Sequence, residues 1–232
     1  MKLKKVTQDE KAVKSRWYDD ACGTALAMEL VGERWSLLIV RELMFGGRRF
    51  SELKASLMGI SANILTQRLE GMEASGIVVR KKLPPPASVQ VYELTPWGYE
   101  SEVAIQELGR WAVRSPQHDP TLPLSPASLM MSFRTMISAE RAGDLSAVIG
   151  FRFGGEVFVA RIADGGIAIA REEPDTVELL FDTDPMTMAS LVYGGRPFAD
   201  AEAAGALRMR GDRALADRFV TLFPLPPKWD RG

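Results

Sequence analysis

Asn63, Thr66 and Gln67 stand three and four positions apart, the spacing that gathers side chains on one face of a helix. Two carboxamides and a hydroxyl are neutral groups that both donate and accept. They suit the edges of bases, and Asn and Gln can match the paired acceptor and donor that adenine shows in the major groove. A second set is cationic: Arg48, Arg49, Lys54 and Arg68, then Arg80, Lys81 and Lys82. Together with Ser61 these suit phosphate oxygens, contacts that fix position and make affinity fall with salt. Glu70 shares the face of the amides, so its charge places the base contacts towards the N-terminal end of that helix.

Other reactive residue types are scarce. Cys22 is the single cysteine, which excludes an intramolecular disulfide and any multi-cysteine metal site. It falls at or just before a helix start, where unpaired amides and the helix dipole lower a thiol pKa. It reads either as a reactive thiol or as a small apolar residue buried at an interface. His118, the one histidine, lies among prolines and reads as solvated. With no serine elbow, phosphate loop, dinucleotide fingerprint or zinc-binding histidine pair, the expectation is a non-enzyme with no cofactor and no metal.

The elements that must position these residues can be read from apolar periodicity. Ala25, Leu26, Met28, Leu30 and Val31 predict a first helix, and Trp35 to Leu43 a second that stops at Gly46 and Gly47. A short third helix spans residues 50–57. A fourth begins near Ser61, which can cap it, and ends at Ser75, with Gly76 supplying the left-handed residue. Leu65, Leu69 and Met72 form its buried stripe, opposite the amides. Residues 77–83 and 89–94 then predict a hairpin with a proline-stiffened tip. Thr95 caps a further helix on which Trp97, Ala104, Leu108 and Trp111 make an apolar stripe that requires a partner.

Short third helix, polar fourth helix and basic hairpin are the layout of a winged helix-turn-helix. The residues Cys22, Gly32, Trp35, Arg49-Phe50-Ser51-Glu52-Leu53, Gly59-Ile60-Ser61, Leu65-Thr66-Gln67-Arg68-Leu69, Gly76-Ile77, Tyr92-Glu93-Leu94-Thr95 and Gly98 resemble the HxlR family of bacterial winged-helix regulators, over about residues 21–112. The resemblance implies a homodimer paired through the first and last helices of the module. It would present two recognition helices to successive major grooves of an inverted-repeat operator in double-stranded DNA. It also implies that a cysteine at the place of Cys22 can sense oxidants or electrophiles.

The chain divides in composition. Residues 1–114 carry 17 basic and 14 acidic side chains, and residues 115–232 carry 12 and 16. A basic half beside an acidic one suits a polyanion-binding module joined to a part that does not touch DNA. The expected domains are a charged arm over residues 1–20, the winged module over 21–113, a proline-rich linker over 114–126 and a second domain over 127–226. Absence of a secretory signal or a long apolar run predicts a cytoplasmic protein with no membrane partner.

In the second domain a helix over residues 128–142 precedes four strands, read as an antiparallel meander, then two helices, a strand and a closing helix over 212–223; strands followed by helices make the fold class α+β. This order is similar to the sterol carrier protein type (SCP2-like) domain. That resemblance implies an apolar cavity for a small-molecule effector, lined by Phe151, Phe153, Phe158, Met186, Met188, Leu191, Phe198, Met209 and Phe219. The reading is thus a dimeric regulator, a repressor, controlled by an apolar ligand. The alternatives are a regulator switched at Cys22 and an apolar-ligand carrier that does not act on DNA.

Overall fold

The computed structural model describes residues 18–230, so the arm expected over residues 1–20 lies almost wholly outside the described residues. The first half contains α1 (Gly23–Val31), α2 (Ser36–Leu43), α3 (Phe50–Ser56), α4 (Ala62–Ala74), β1 (Val78–Lys82), β2 (Gln90–Leu94), α5 (Pro96–Glu100) and α6 (Glu102–Ala112). The helix expected from Pro96 is interrupted at Ser101, whose hydroxyl bonds back to the Gly98 carbonyl at 2.7 Å. Such back-bonding offers the chain an alternative to the helical ladder.

Both ends of α4 are fixed by its sequence. The Ser61 hydroxyl accepts from the Ile64 amide at 3.2 Å. At the other end Gly76 takes φ +75°, and the amides of Gly76 and Ile77 bond the carbonyls of Glu73 and Met72, a Schellman closure. Leu65, Leu69 and Met72 are buried. The hairpin β1–β2 pairs Val78 with Leu94 and Lys82 with Gln90, and is anchored by reciprocal 2.8 Å bonds between Arg48 and Tyr92 backbones. Gly98 is required where α5 crosses the base of the hairpin, because a Cβ there would stand 2.3 Å from the Ile77 carbonyl oxygen.

The second half contains α7 (Pro126–Met136), α8 (Ala139–Ala142), β3 (Ala147–Phe153), β4 (Glu156–Ala163), β5 (Gly166–Ala170), β6 (Leu179–Thr183), α9 (Pro185–Tyr193), α10 (Phe198–Ala203), β7 (Leu207–Gly211) and α11 (Arg213–Phe219). The helix expected over residues 128–142 is two helices, broken where Ile137 turns extended. The sheet order is β5-β4-β3-β6-β7. The four-strand antiparallel meander is corrected here: β3, β4 and β5 form one, but β6 crosses over to pair parallel with β3, and β7 joins it antiparallel. Gly150 permits the crossing, since a Cβ there would meet the Pro174 side chain at 2.7 Å.

The proline-rich segment over residues 114–126 does not hold the halves apart. Ser125 caps α7 through the Ser128 amide at 3.0 Å and bonds Glu42 of α2 at 2.6 Å. α7 is buried along most of its length, in contact with α2, α6, β5 and α9. The buried residues of both halves form one continuous apolar core. A C-terminal strap then returns to α6: the Trp229 amide bonds the Arg114 carbonyl at 2.8 Å, and Lys228 Nζ bonds the carbonyl of Val113 at 3.0 Å.

Candidate nucleic-acid interface and the cleft behind it

With the apolar stripe of α4 buried, Asn63, Thr66, Gln67 and Glu70 are all exposed along its other side. Gly59, at φ +88°, makes the turn from α3 into α4. α4 packs against β1 of the wing, and its exposed groups at 63, 66 and 67 are neutral.

The cations divide by partner. Arg49, Lys54 and Lys82 are exposed. Arg80 pairs with Glu73 at 3.1 Å and Lys81 with Glu93 at 2.9 Å, surface pairs of small worth that can yield to phosphates. Arg68 is held more firmly, by Glu33 at 2.6 Å and the Arg34 carbonyl at 3.1 Å, and it ties α4 to the turn before α2.

Arg48 departs from the expected phosphate role. It is 6% exposed, and its guanidinium forks onto Glu156 of β4, with a further 3.3 Å bond to Ser56. The cause is packing: Arg48 lies where the segment before α3 meets the start of β4. Arg171 reaches the same Glu156 at 3.1 Å and the Phe45 carbonyl at 3.1 Å. Phe45 packs edge-on against Phe158, ring centres 5.6 Å apart. Burial alone would raise the Glu156 pKa, but the bond and charge of Arg48, then the charge and bond of Arg171, hold it below the ordinary glutamate value.

Beside this cluster is a cleft of about 630 Å³, widely open to solvent and lined by α3, the start of α7 and the beginning of β4. Its charged lining is Arg48, Glu52, Glu156 and Arg171, and its apolar lining includes Met58, Leu124 and Val157.

The expected dimerisation residues are open: Trp97, Leu108 and Trp111 are 50%, 46% and 72% exposed, and Ala104 is exposed beside them. α1 and α6 contain no buried residue.

Cys22 is the exposed N-cap of α1. The Thr24 backbone and hydroxyl and the Ala25 amide, its nearest donors, lower the thiol pKa, which favours thiolate. His118 is exposed, and partial burial followed by the charge of Lys228 lowers its pKa.

The apolar lining expected in the second half closes on itself. Phe151 and Phe181 each contact Phe219, at 5.7 and 5.8 Å between ring centres, and Phe153 contacts Phe151 and Phe158. Phe198 stacks on Phe181, Met188 and Leu191 are buried, and Met186 and Met209 are part-buried. All but Met186 belong to the core or pack against it, and none of them lines the cleft of 630 Å³. Sequence reasoning missed Glu156, Arg171, Phe45 and Glu42. Only Glu42 carried a signal, as a carboxylate on the helix face of Ile39 and Leu43. Among the described residues no group of three or more His, Cys, Asp or Glu is placed to hold a metal, and no helix is long and apolar enough to cross a membrane.

The pattern of the HxlR-like helix-turn-helix family matches residues 30–119. The uncharacterized HTH-type transcriptional regulator YvaP of Bacillus subtilis (strain 168) is 35% identical over 86 residues, 37% of this chain and 80% of that protein. The HTH-type transcriptional regulator YodB of the same organism is 37% identical over 86 residues, 37% of this chain and 77% of that protein. The solved reduced form of YodB covers 42% of this chain and 98% of its own, at 34% identity and a TM-score of 0.39. The matches to YvaP and YodB span most of those proteins and carry the assignment: through its first half, this chain belongs to the HxlR-like helix-turn-helix family.

Proposed function

We propose that this chain is a DNA-binding transcriptional regulator that acts as a homodimer, represses from an inverted-repeat operator, and is controlled through its C-terminal half. The observation that carries the reading is the exposed face of α4, where Asn63, Thr66 and Gln67 stand clear of neighbours on a helix fixed at both ends. Asn63 and Gln67 read base edges, and Arg49, Lys54 and Lys82 hold phosphates. Trp97, Ala104, Leu108 and Trp111 pair two copies, which spaces two α4 helices for successive major grooves. The C-terminal half is read as SCP2-like, supported by its order of helix, strands, two helices, strand and helix. Its tie to the DNA-binding half through Arg48, Glu156 and the α6–α7 packing supports its role as the controlling part.

The test is in vitro selection of genomic fragments by the purified chain at moderate and high salt. Enrichment of an inverted repeat at moderate salt, weakened at high salt, is expected. If no fragment is enriched at either salt, with or without a cell extract, the DNA-binding reading falls.

A second reading moves the switch to Cys22, favoured by its exposure and lowered pKa. YodB, a relative at 37% identity, has been solved quinone-bound and diamide-treated. On this reading Cys22→Ser abolishes the response of DNA binding to a quinone while leaving affinity intact; a response that survives the substitution removes it.

A further inference from the structure

We propose that the cleft between α3 and the start of β4 binds a small organic monocarboxylate, and that its occupancy sets DNA affinity; the second half of this statement rests on the regulator reading above. Its volume of about 630 Å³ lies within the range of small-molecule sites. Arginine nitrogens left without partners then select the class of ligand.

Two guanidiniums, Arg48 and Arg171, converge on the one carboxylate of Glu156. Glu42 is engaged by Arg41 and Ser125 through one oxygen, while its other oxygen is buried without a hydrogen-bond partner. Glu52 stands 3.5 Å from Arg48 Nε, close enough for an ion pair but outside hydrogen-bond geometry. Both Arg48 Nε and Arg171 Nε are buried with no hydrogen-bond partner, so neither arginine is fully satisfied. The Arg171 side chain is 19% exposed, so a ligand reaches it by competing with Glu156 or the Phe45 carbonyl. Burial and then the charge of Arg48 lower the Arg171 pKa, against the opposing charges of Glu156 and Glu42. A carboxylate matches a guanidinium edge in two parallel bonds. Met58, Leu124 and Val157 then offer the rest of the molecule an apolar wall, which favours a carboxylate with a hydrocarbon body over an inorganic anion.

The position supplies the coupling. Glu52, Ala55 and Ser56 of α3 line the cleft, and α3 leads through the Gly59 turn into α4. A molecule that draws Arg48 or Arg171 away from Glu156 alters the bond between the halves directly behind the DNA-reading helix.

The test is isothermal titration of the full chain, without DNA, by benzoate and octanoate and by their neutral amides. Saturable binding is expected for at least one of the two acids, stronger than its amide by about tenfold or more. Arg171→Gln removes that preference. Ala55→Trp, which fills the mouth of the cleft from an exposed helix position and leaves the charges in place, removes binding while the thermal midpoint holds. Failure of both acids to saturate, equal binding of acid and amide, or unchanged binding by Ala55→Trp overturns the site. Because this titration contains no DNA, its failure leaves the regulator reading standing. In a separate titration on a selected operator, saturating acid is expected to change DNA affinity by about fivefold or more, and no change at saturation overturns the regulatory half.

Discussion

Arg48 and Glu156, 108 positions apart in the chain, form a two-pronged ion pair that fastens the segment before α3 to the first residue of β4. The Arg48 side chain is 7% exposed and that of Glu156 is 23%, so the pair is mostly withdrawn from water. Removing one partner of such a pair leaves a buried charge uncompensated, at a cost of about 3 kcal/mol.

Glu156→Gln therefore destabilises the fold by about that amount near neutral pH, measured by denaturant unfolding. The sign with pH follows from the lowered pKa of Glu156. A carboxylate depressed in the folded state contributes stability above its unfolded pKa, and that contribution is lost as pH falls through the folded value. Unfolding curves of the parent chain weaken from about pH 4.5 downwards, and those of Glu156→Gln weaken less over the same interval. Parallel pH profiles for the two would contradict the assignment.

Trp111→Glu places a charge on the most exposed ring of the α6 stripe, where the side chain is 72% open to solvent. Since the ring makes no buried contact within one copy, the fold of the single chain is retained. Sedimentation velocity is expected to show a dimer for the parent and a monomer for the variant. A dimer of unchanged stability would place the interface elsewhere.

Phe219, which with Phe151 belongs to the ligand lining that the sequence predicts, touches Phe133, Phe151, Phe181 and Phe223. If those rings are core, Phe219→Ala opens a cavity and costs about 3 to 5 kcal/mol, read as a lowered denaturation midpoint. A loss under about 1 kcal/mol would mean that the ring faces existing empty space.

What the sequence disclosed and what it hid have separate physical causes. The winged module was legible because its signals are local: Ser61 caps within three residues, Gly76 ends α4 within one turn, and Thr95 and Gly98 fix the crossing beneath the hairpin. Periodicity likewise separated the buried Leu65, Leu69 and Met72 from the amides opposite them. Arg48 misled because adjacent arginines, Arg48 and Arg49, look alike in sequence, while the fold turns one inward and leaves the other exposed. The parallel pairing of β3 with β6 is set by a crossing chain and by room over Gly150, neither of which leaves a local pattern. The cleft is assembled from residues as distant as Gly47 and Arg171, so only the folded chain brings its charges together.

The claim that α4 reads DNA is tested most directly by fluorescence anisotropy on a selected operator and on a scrambled duplex, with the parent, Asn63→Ala/Gln67→Ala and Lys54→Ala compared across a salt series. The amide pair is expected to lose about 1 to 3 kcal/mol per base contact on the operator and little on the scrambled duplex. Lys54→Ala is expected to weaken both duplexes alike and to reduce the salt slope by about one. Unchanged preference for the operator after loss of both Asn63 and Gln67 would contradict the account, because the residues that read sequence would then lie off this face.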